Sequence, residues 1–199
     1  MTFDELVKHM PGIERASQMA TAWWLAHQVR QLALDFTIAA PVCIEVGTWC
    51  GFTACAMADA GGRVICVDTF DGRDDQTKER TAAVHKEGHP PLERFLANGL
   101  ALGSGRVLAV VGESPKVASL LPPGCAHLVF IDADHAEPAV SADLYAWGDR
   151  VKSGGVLCGH DWEQGGVQQA VRAYSETHGW PLVTAEPDQL WWMRRPPGT

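Results

Sequence analysis

Two clusters of acidic and imidazole side chains stand directly after two apolar stretches of this sequence. The apolar stretches are 129–131 (VFI) and 155–159 (GVLCG), and the polar residues after them are Asp132, Asp134, His135, His160 and Asp161. Carboxylates and imidazoles bind divalent cations. An imidazole with an ordinary pKa also has a neutral fraction at physiological pH, so it can accept a proton. The two clusters therefore predict metal-binding or acid–base chemistry if the fold brings them together.

The elements that position these residues alternate between strand and helix. Apolar runs predict strands at 42–46, 63–68, 106–112, 127–132 and 155–159. The runs are continuous rather than alternating, which is typical of a parallel sheet covered on both faces. Stretches followed by Gly or Pro predict helices at 52–60, 91–102, 114–121, 138–151 and 167–178. This order predicts an α/β, doubly wound fold.

The two ends of the chain add further elements. Leu182–Ala185 and Leu190–Arg194, separated by Pro187-Asp188, predict an antiparallel hairpin. Helical spacing of apolar residues from Met19 to Phe36 predicts an amphipathic helix, so 1–39 is interpreted as an N-terminal helical segment that forms a lid or a dimer face. Residues 40–199 are interpreted as the catalytic part of a single domain. The polar stretch 71–90 predicts an insertion near the mouth of the site.

Composition limits the class of protein and its partners. A chain of 199 residues fits one α/β domain. Its net charge of −8 disfavours a nucleic-acid backbone or an anionic membrane as the main partner. The sequence has no apolar run long enough to cross a membrane and no basic leader at its N-terminus. Six cysteines without a C-x-x-C pair predict reduced thiols. We therefore expect a cytoplasmic protein that acts on a small molecule.

A glycine-containing turn after the first strand predicts a ligand site. The stretch EVGTWCG (45–51) places Gly47 and Gly51 between a strand and a helix, but it lacks the middle glycine of a dinucleotide fingerprint. Glu45 would repel a pyrophosphate, whereas it suits a ligand with an ammonium group. Asp68 lies about 20 residues beyond the turn, where an acid can bind ribose hydroxyls, and Phe70 could lie on an adenine face. These residues predict a site for an adenosine that carries an amino-acid tail in place of phosphates.

Five motifs give the chain a family resemblance. They are EVGTWCG (45–51), VDTFDG (67–72), GESPKV (112–117), FIDADH (130–135) and GGVLCGHDW (154–162). With them the chain resembles the class I S-adenosylmethionine-dependent methyltransferases over roughly residues 40–175. It looks most like the small bacterial metal-dependent O-methyltransferases of the macrocin and cephalosporin type, and more distantly like catechol O-methyltransferase. The resemblance implies a Rossmann-like, seven-stranded sheet of order 3-2-1-4-5-7-6 with an antiparallel last strand.

The resemblance also implies roles for individual residues. The fourth and fifth strands are neighbours in that fold, which would place both polar clusters in one site. The implied contacts with S-adenosylmethionine are Glu45, Gly47, Thr48, Gly51, Asp68, Thr69, Phe70, Glu113, Ser114 and Asp132. The implied catalytic residues are Asp132, His135 and Asp161, with His135 as the general base. The implied ligands of a divalent cation, Mg²⁺ or Mn²⁺, are Asp132, His160 and Asp161.

Two of these assignments keep alternatives. An imidazole at position 160 suits Mn²⁺, Fe²⁺ or Zn²⁺ better than Mg²⁺. The alternative is that His160 is a structural residue that points away. Asp134 either orients His135 or completes the metal shell.

The expected function is metal-assisted O-methylation of a small hydroxylated substrate, such as a sugar or another natural product. Three alternatives remain at this point: a metal-dependent hydrolase that uses the Asp/His cluster, a cofactor-binding protein without catalysis, and a nicotinamide-dependent oxidoreductase. The hydrolase leaves the glycine turn and Asp68 without a role, and the missing glycine disfavours the oxidoreductase. A homodimer formed through the N-terminal helix is a further expectation.

Overall fold

The fold is taken from a computed structural model that describes residues 16–71, 91–102, 104–185 and 189–198, with side chains from Met19 onward. The first 15 residues of the predicted N-terminal segment lie outside the described residues, as does the predicted turn at Pro187-Asp188. The predicted insertion at 71–90 lies outside them as well, apart from Asp71.

One seven-stranded sheet organises the chain. Its strands are β1 (Val42–Val46), β2 (Arg63–Asp68), β3 (Val107–Val111), β4 (Ala126–Ile131), β5 (Val151–Gly159), β6 (Leu182–Ala185) and β7 (Leu190–Arg194). The order across the sheet is β3-β2-β1-β4-β5-β7-β6. The first five strands pair in parallel, and β7 runs antiparallel to both of its neighbours. The predicted order and the antiparallel last strand are confirmed.

Helices cover both faces of the sheet. They are α1 (Ala16–Asp35), α2 (Phe52–Asp59), α3 (Pro91–Leu102), α4 (Ser114–Ser119), α5 (Glu137–Gly148) and α6 (Gly165–His178). Side chains of α1, α2 and α3 pack on one face, and side chains of α4, α5 and α6 pack on the other. All six side chains of β4 are buried, because this central strand is covered from both sides. This double cover explains why the strands are continuous apolar runs.

The boundary between α5 and β5 differs from the prediction. The sequence predicts a helix over 138–151 and a strand over 155–159, whereas α5 ends at Gly148 and β5 begins at Val151. Gly154 and Gly155 were interpreted as a helix stop, but they lie inside the strand, where the register with β4 shifts. The strand starts early because Val151 is buried and pairs with Ala126. Smaller shifts of one or two residues occur at the ends of β3, β4, α2, α4 and α6.

The N-terminal helix α1 is part of the same core. Leu25, Val29 and Leu32 are fully buried against the sheet and α2. The Trp24 ring lies 6.1 Å from that of Trp192 on β7. Trp23, in contrast, is 63% exposed, so a lid or dimer role stays a prediction for this outward face. Among the described helices, none has both the length and the apolar character needed to cross a bilayer.

Candidate active site

The glycine turn after β1 has an unusual backbone that only some residues adopt easily. Gly47 and Gly51 have φ angles of 84° and 82°, and Trp49 between them has a φ of 44°. Glycine takes such angles without a steric penalty, whereas tryptophan does not. The turn is held in place by Asp68 at the end of β2, because its carboxylate accepts the backbone N–H of Trp49 at 2.8 Å. The turn after β1 and the acid after β2 therefore form one unit.

Asp68 retains capacity for a ligand. Its second oxygen accepts the backbone N–H of Phe70 at 2.7 Å. Each carboxylate oxygen has two acceptor sites, so both can still accept hydroxyl groups. Burial raises the pKa of Asp68 above its usual value, although the backbone hydrogen bonds oppose this. The arrangement is compatible with the predicted contact to ribose hydroxyls.

Glu45 lies beneath the turn rather than on its surface. Its side chain has no exposed area, and it accepts hydrogen bonds from the hydroxyls of Thr48 and Thr53. Burial raises the pKa of Glu45 to about 7, although the two hydroxyls oppose the shift. Glu45 therefore joins Thr48 of the turn to Thr53 of α2, and its predicted contact with a ligand ammonium group stays a prediction. Thr53 has no motif of its own and was missed in the sequence.

Phe70 and Ser114, two predicted contacts of the cofactor, already have partners within the protein. The Phe70 ring is 9% exposed and lies 5.4 Å from the Phe95 ring. The Ser114 hydroxyl donates to Asp143 at 2.5 Å and accepts the Trp147 indole N–H at 2.6 Å. Both side chains thus serve packing or internal hydrogen bonds, and their contact with the cofactor stays a prediction.

The other two predicted contacts of this region have polar partners near the surface. The Thr69 hydroxyl donates to Asp71, and Glu113 forms an ion pair with Lys116 at 2.5 Å. Surface ion pairs of this kind contribute little stability. The contacts of Thr69 and Glu113 with the cofactor stay predictions.

The two polar clusters meet at the carboxyl ends of β4 and β5. Nε2 of His135 lies 2.9 Å from Oδ2 of Asp161, and Nδ1 of His160 lies 3.3 Å from Oδ1 of the same carboxylate. Ligand atoms of Asp132, His135 and Asp161 all lie within 4.8 Å of one another. These residues line one small cleft together with Ala133, Asp134 and Trp191. The parallel pairing of β4 with β5 creates this arrangement, since Ile131 pairs with Gly159.

The two half-buried acids of the cluster have pKa values shifted in opposite directions. Burial and the charge of Asp161 raise the pKa of Asp132 to about 7. Burial also acts to raise the pKa of Asp161, but hydrogen bonds from His135 and His160 outweigh it and hold this pKa well below its usual range. Asp161 is therefore ionised at neutral pH. An ionised carboxylate only accepts hydrogen bonds, so Nε2 of His135 carries a proton.

The pKa of His160 is higher than that of an ordinary histidine. Burial lowers its pKa, but the hydrogen bond to Asp161 and the charge of Asp132 raise it, and the net shift is upward. Its other ring nitrogen, Nε2, is buried and has no hydrogen-bond partner among the described residues. Its predicted role as a metal ligand stays a prediction, because His135 rather than His160 completes the compact group with Asp132 and Asp161.

Asp134 makes a contact that neither of its two predicted roles named, and its place in a metal shell stays a prediction. Its carboxylate accepts the backbone N–H of Ala136 at 2.7 Å, which supports the turn before α5. The carboxylate bonded to Nε2 of His135 belongs to Asp161, not to Asp134. Asp134 is adjacent to His135 in the sequence, whereas Asp161 reaches His135 only through strand pairing.

The glycine turn and the acid–imidazole cluster belong to one crevice. A β-carbon at position 47 would overlap the carbonyl oxygen of Asp132. The backbone N–H of Asp132 donates to the carbonyl of Val46 at 2.8 Å, which continues the pairing of β1 with β4. A ligand bound at the turn would therefore lie beside Asp132, at the crevice that open α/β sheets commonly use for binding.

The donor set in the crevice is chemically suited to a divalent cation. Two carboxylates and an imidazole are suitable ligands for Mn²⁺, Fe²⁺ or Zn²⁺, and the two acids alone would suit Mg²⁺. Burial is the main cause of the raised pKa of Asp132, and the negative charge of Asp161 adds to it, so two ionised acids in this space would repel each other. A cation between them would remove that repulsion.

The residues that form this crevice match a known protein family. A sequence profile described as a methyltransferase domain matches residues 44–162, which contain the glycine turn and both polar clusters. No protein of curated function matches the chain by sequence.

Several solved structures share the fold. The structure of CalS11, a TDP-rhamnose 3'-O-methyltransferase of calicheamicin biosynthesis, is 17% identical and covers 96% of this chain and 90% of its own, with a TM-score of 0.60. An O-methyltransferase from Bacillus cereus in complex with SAH is 14% identical, with coverages of 97% and 90% and a TM-score of 0.63. The O-methyltransferase NovP is 15% identical, with coverages of 88% and 79% and a TM-score of 0.62.

Proposed function

We propose that this chain, which belongs to the methyltransferase-domain family, transfers the methyl group of S-adenosylmethionine to a hydroxyl oxygen of a small molecule. The observation that supports oxygen as the acceptor atom is the pair of His135 and Asp161, joined at 2.9 Å beside the glycine turn. A hydroxyl group is a poor nucleophile while it keeps its proton, so its methylation needs a base close to the methyl donor.

His135 is the proposed base. The bond from its Nε2–H to the ionised Asp161 fixes the tautomer, so that the lone pair lies on Nδ1. The negative charge of Asp161 also stabilises the imidazolium that forms when His135 accepts a proton. This division of roles, with a base and a carboxylate that orients it, is common in acid–base catalysis.

The residues of the glycine turn are proposed to hold the methyl donor. Gly47 and Gly51 give the turn its left-handed backbone and its close packing on Asp132 and Phe95. Asp68 offers acceptor oxygens to the ribose hydroxyls. Asp132 lies between this turn and His135, next to the place where methyl transfer would occur.

The proposed reaction requires only S-adenosylmethionine, an acceptor hydroxyl and a base. S-Adenosylmethionine supplies a methyl group on a positively charged sulfur, and in-line displacement forms the O–C bond as the S–C bond breaks and its electron pair returns to sulfur. The proton of the acceptor hydroxyl goes to His135 and then to solvent. The protein contributes alignment of the hydroxyl with the methyl group and the acceptance of its proton.

A divalent cation would have one role in the proposed reaction, the activation of the acceptor hydroxyl. Asp132 and Asp161, with His135 as a third donor, would hold it, and it would lower the pKa of an acceptor hydroxyl. One nitrogen of His135 cannot bind the cation and accept a proton at the same time. Metal dependence of turnover therefore tells whether His135 acts mainly as base or as ligand.

The acceptor is proposed to be a small hydroxylated compound, such as a sugar or another natural product. This is supported by the fold shared with CalS11, an enzyme that acts on a nucleotide sugar, over 96% of the chain. The methyltransferase family match favours methyl transfer over the hydrolase and the nicotinamide alternatives. A cofactor-binding protein without catalysis is distinguished by the experiment below.

The test is transfer of a radiolabelled methyl group from S-adenosylmethionine to a panel of sugars, nucleotide sugars and catechols, with and without Mn²⁺. We expect the wild-type protein to label at least one hydroxyl compound. His135→Gln should reduce labelling by a factor of roughly 100 to 10,000, the usual contribution of a general base. His178→Gln is the matched control, because His178 stacks on Tyr174 at the end of α6. Binding of S-adenosylhomocysteine with no labelling of any acceptor would favour the non-catalytic alternative.

A further inference from the structure

The chain turns sharply after β5, at the residue that orients the proposed base. Asp161 has a φ angle of 58°, in the left-handed region that residues with side chains seldom adopt. Aspartate tolerates this region better than most residues, but surrounding contacts must still hold it there. The direction of the Asp161 carboxylate depends on this backbone conformation. The contacts that fix the turn therefore also fix the pair of Asp161 and His135.

One of these contacts comes from a side chain of β7. The indole N–H of Trp191 donates to the carbonyl oxygen of His160 at 3.1 Å. Trp191 is 1% exposed and lines the cleft that contains Asp132, His135 and Asp161. Its ring lies directly on the backbone of Gly159, which pairs with it across β5 and β7, so that a β-carbon at position 159 would overlap the ring.

The hydrogen bond from Trp191 acts on the peptide unit that enters Asp161. A peptide group is planar, so the carbonyl oxygen of His160 and the nitrogen of Asp161 move together. On its other side the backbone N–H of His160 donates to Ile131 at 3.2 Å. The residue before Asp161 is therefore held from β4 through its N–H and from β7 through its carbonyl.

From this geometry we propose that Trp191 is a positioning residue, whose indole N–H fixes the peptide before Asp161 and so aims its carboxylate at His135. The proposal rests on the proposed function in one respect only, namely that the pair of His135 and Asp161 serves as the base. The hydrogen bond itself is a property of the fold.

The neighbouring residue Trp192 offers a matched control. Side chains alternate along a strand, so Trp192 lies on the opposite face of the sheet. Its ring packs near Trp24 of α1, in the core cluster on the other side of the sheet. Changing either tryptophan to phenylalanine removes the same atoms, but only Trp191→Phe removes the donor to His160.

The test uses the full chain and a signal that reports on the pair directly. In protein labelled with ¹⁵N-histidine, the Nε2–H proton of His135 is assigned by its loss in His135→Gln, and its exchange with water is measured. We expect Trp191→Phe to raise this exchange rate about fivefold or more, because loss of one hydrogen bond usually changes a local equilibrium by roughly two- to tenfold. Trp192→Phe should leave it within about twofold. Both variants should bind S-adenosylhomocysteine within about twofold of wild type, measured by calorimetry.

The proposal would be overturned by an unchanged exchange rate in Trp191→Phe or by an equal increase in Trp192→Phe. If Trp191→Phe does not fold, Trp191→Tyr is measured in the same way. In the wild-type protein, the indole N–H of Trp191 should itself exchange slowly, and rapid exchange would also overturn the proposal. Failure of the proposed function is a different result, since it would be absence of methyl transfer in a wild-type protein whose His135 signal remains protected.

Discussion

Gly47 in the turn after β1 packs against the backbone of Asp132 after β4 so closely that no β-carbon fits between them. This contact joins the part of the crevice that would hold the methyl donor to the part that contains the acids and imidazoles. The glycine is needed for two separate reasons, its φ angle of 84° and the adjacent carbonyl oxygen.

The first prediction separates the effect of the φ angle of Gly47 from the effect of its contact with Asp132. Gly47→Ala should abolish binding of S-adenosylhomocysteine or prevent folding, because the new methyl group can be accommodated only if β1 and β4 move apart. Gly61→Ala is the control, since Gly61 has a φ of 103° but no atom within 4 Å of an added β-carbon. This control should lose only about 1–2 kcal/mol of stability to backbone strain. Calorimetric binding and thermal unfolding of both variants check the prediction, which fails if the two behave alike.

The second prediction concerns the support that Thr53 gives to Glu45. Thr53→Val keeps the shape of the side chain but removes one of the two hydroxyls that donate to this enclosed carboxylate. We expect a loss of about 1–3 kcal/mol in the free energy of unfolding, because a buried acceptor is left unsatisfied. Thr184→Val on the exposed edge strand β6 is the control and should change stability by less than about 0.5 kcal/mol. Urea unfolding of the two variants decides the matter, and equal stabilities would show that Glu45 does not need Thr53.

The third prediction follows from the buried acid Asp143. Burial raises its pKa to about 6 from a usual value of 3.8, although the hydrogen bond from Ser114 opposes the shift. The folded protein therefore keeps this proton over a pH range in which the unfolded chain has lost it. As the pH rises from about 4 to about 6, this group makes the folded state less stable, by an amount on the order of 1–3 kcal/mol, and the effect is constant above that range.

Asp143→Asn should remove this part of the pH dependence, because an amide does not titrate. Asp59→Asn, at an exposed position at the end of α2, is the control for the loss of one carboxyl group. The measurement is the free energy of unfolding in urea at several values between pH 4.5 and 7.5. A profile for Asp143→Asn that matches the wild type would show that the carboxyl is not held protonated.

The fourth prediction concerns the charge of Asp161. Asp161→Asn keeps the size of the side chain but removes the carboxylate that holds His135 and repels Asp132. We expect turnover to fall by a factor of roughly 100 or more, with S-adenosylhomocysteine affinity almost unchanged. The pKa of Asp132, followed by carboxyl ¹³C shifts, should move downward from about 7. Burial would still raise this pKa, but the negative charge of Asp161, its second cause, would be gone.

Asp134→Asn is the control for this charge, because Asp134 is exposed and bonds to the turn before α5. It should keep most of the turnover. If a cation occupies the site, binding of Mn²⁺ should be lost in Asp161→Asn and retained in Asp134→Asn. Equal turnover in the two variants would remove Asp161 from the proposed mechanism.

The sequence by itself determined the architecture and the location of the crevice. Continuous apolar runs are the direct consequence of a sheet covered on both faces, so five strands could be predicted within a residue or two, apart from the start of β5. The glycines of the turn and the polar residues at the ends of β4 and β5 are local signals, because each follows its strand directly in the chain. The family resemblance supplied the strand order, which the tertiary structure confirms.

Only the tertiary structure decided which side chains are partners. Asp161 rather than Asp134 bonds to Nε2 of His135, because strand pairing brings residues 26 positions apart into contact. Glu45 faces inward to Thr53, and Trp191 reaches His160 because β7 folds back along β5. Local sequence patterns indicate which residues are buried and where the chain turns. Hydrogen-bond partners depend instead on how distant strands pair in register. That register exists only once the sheet has formed.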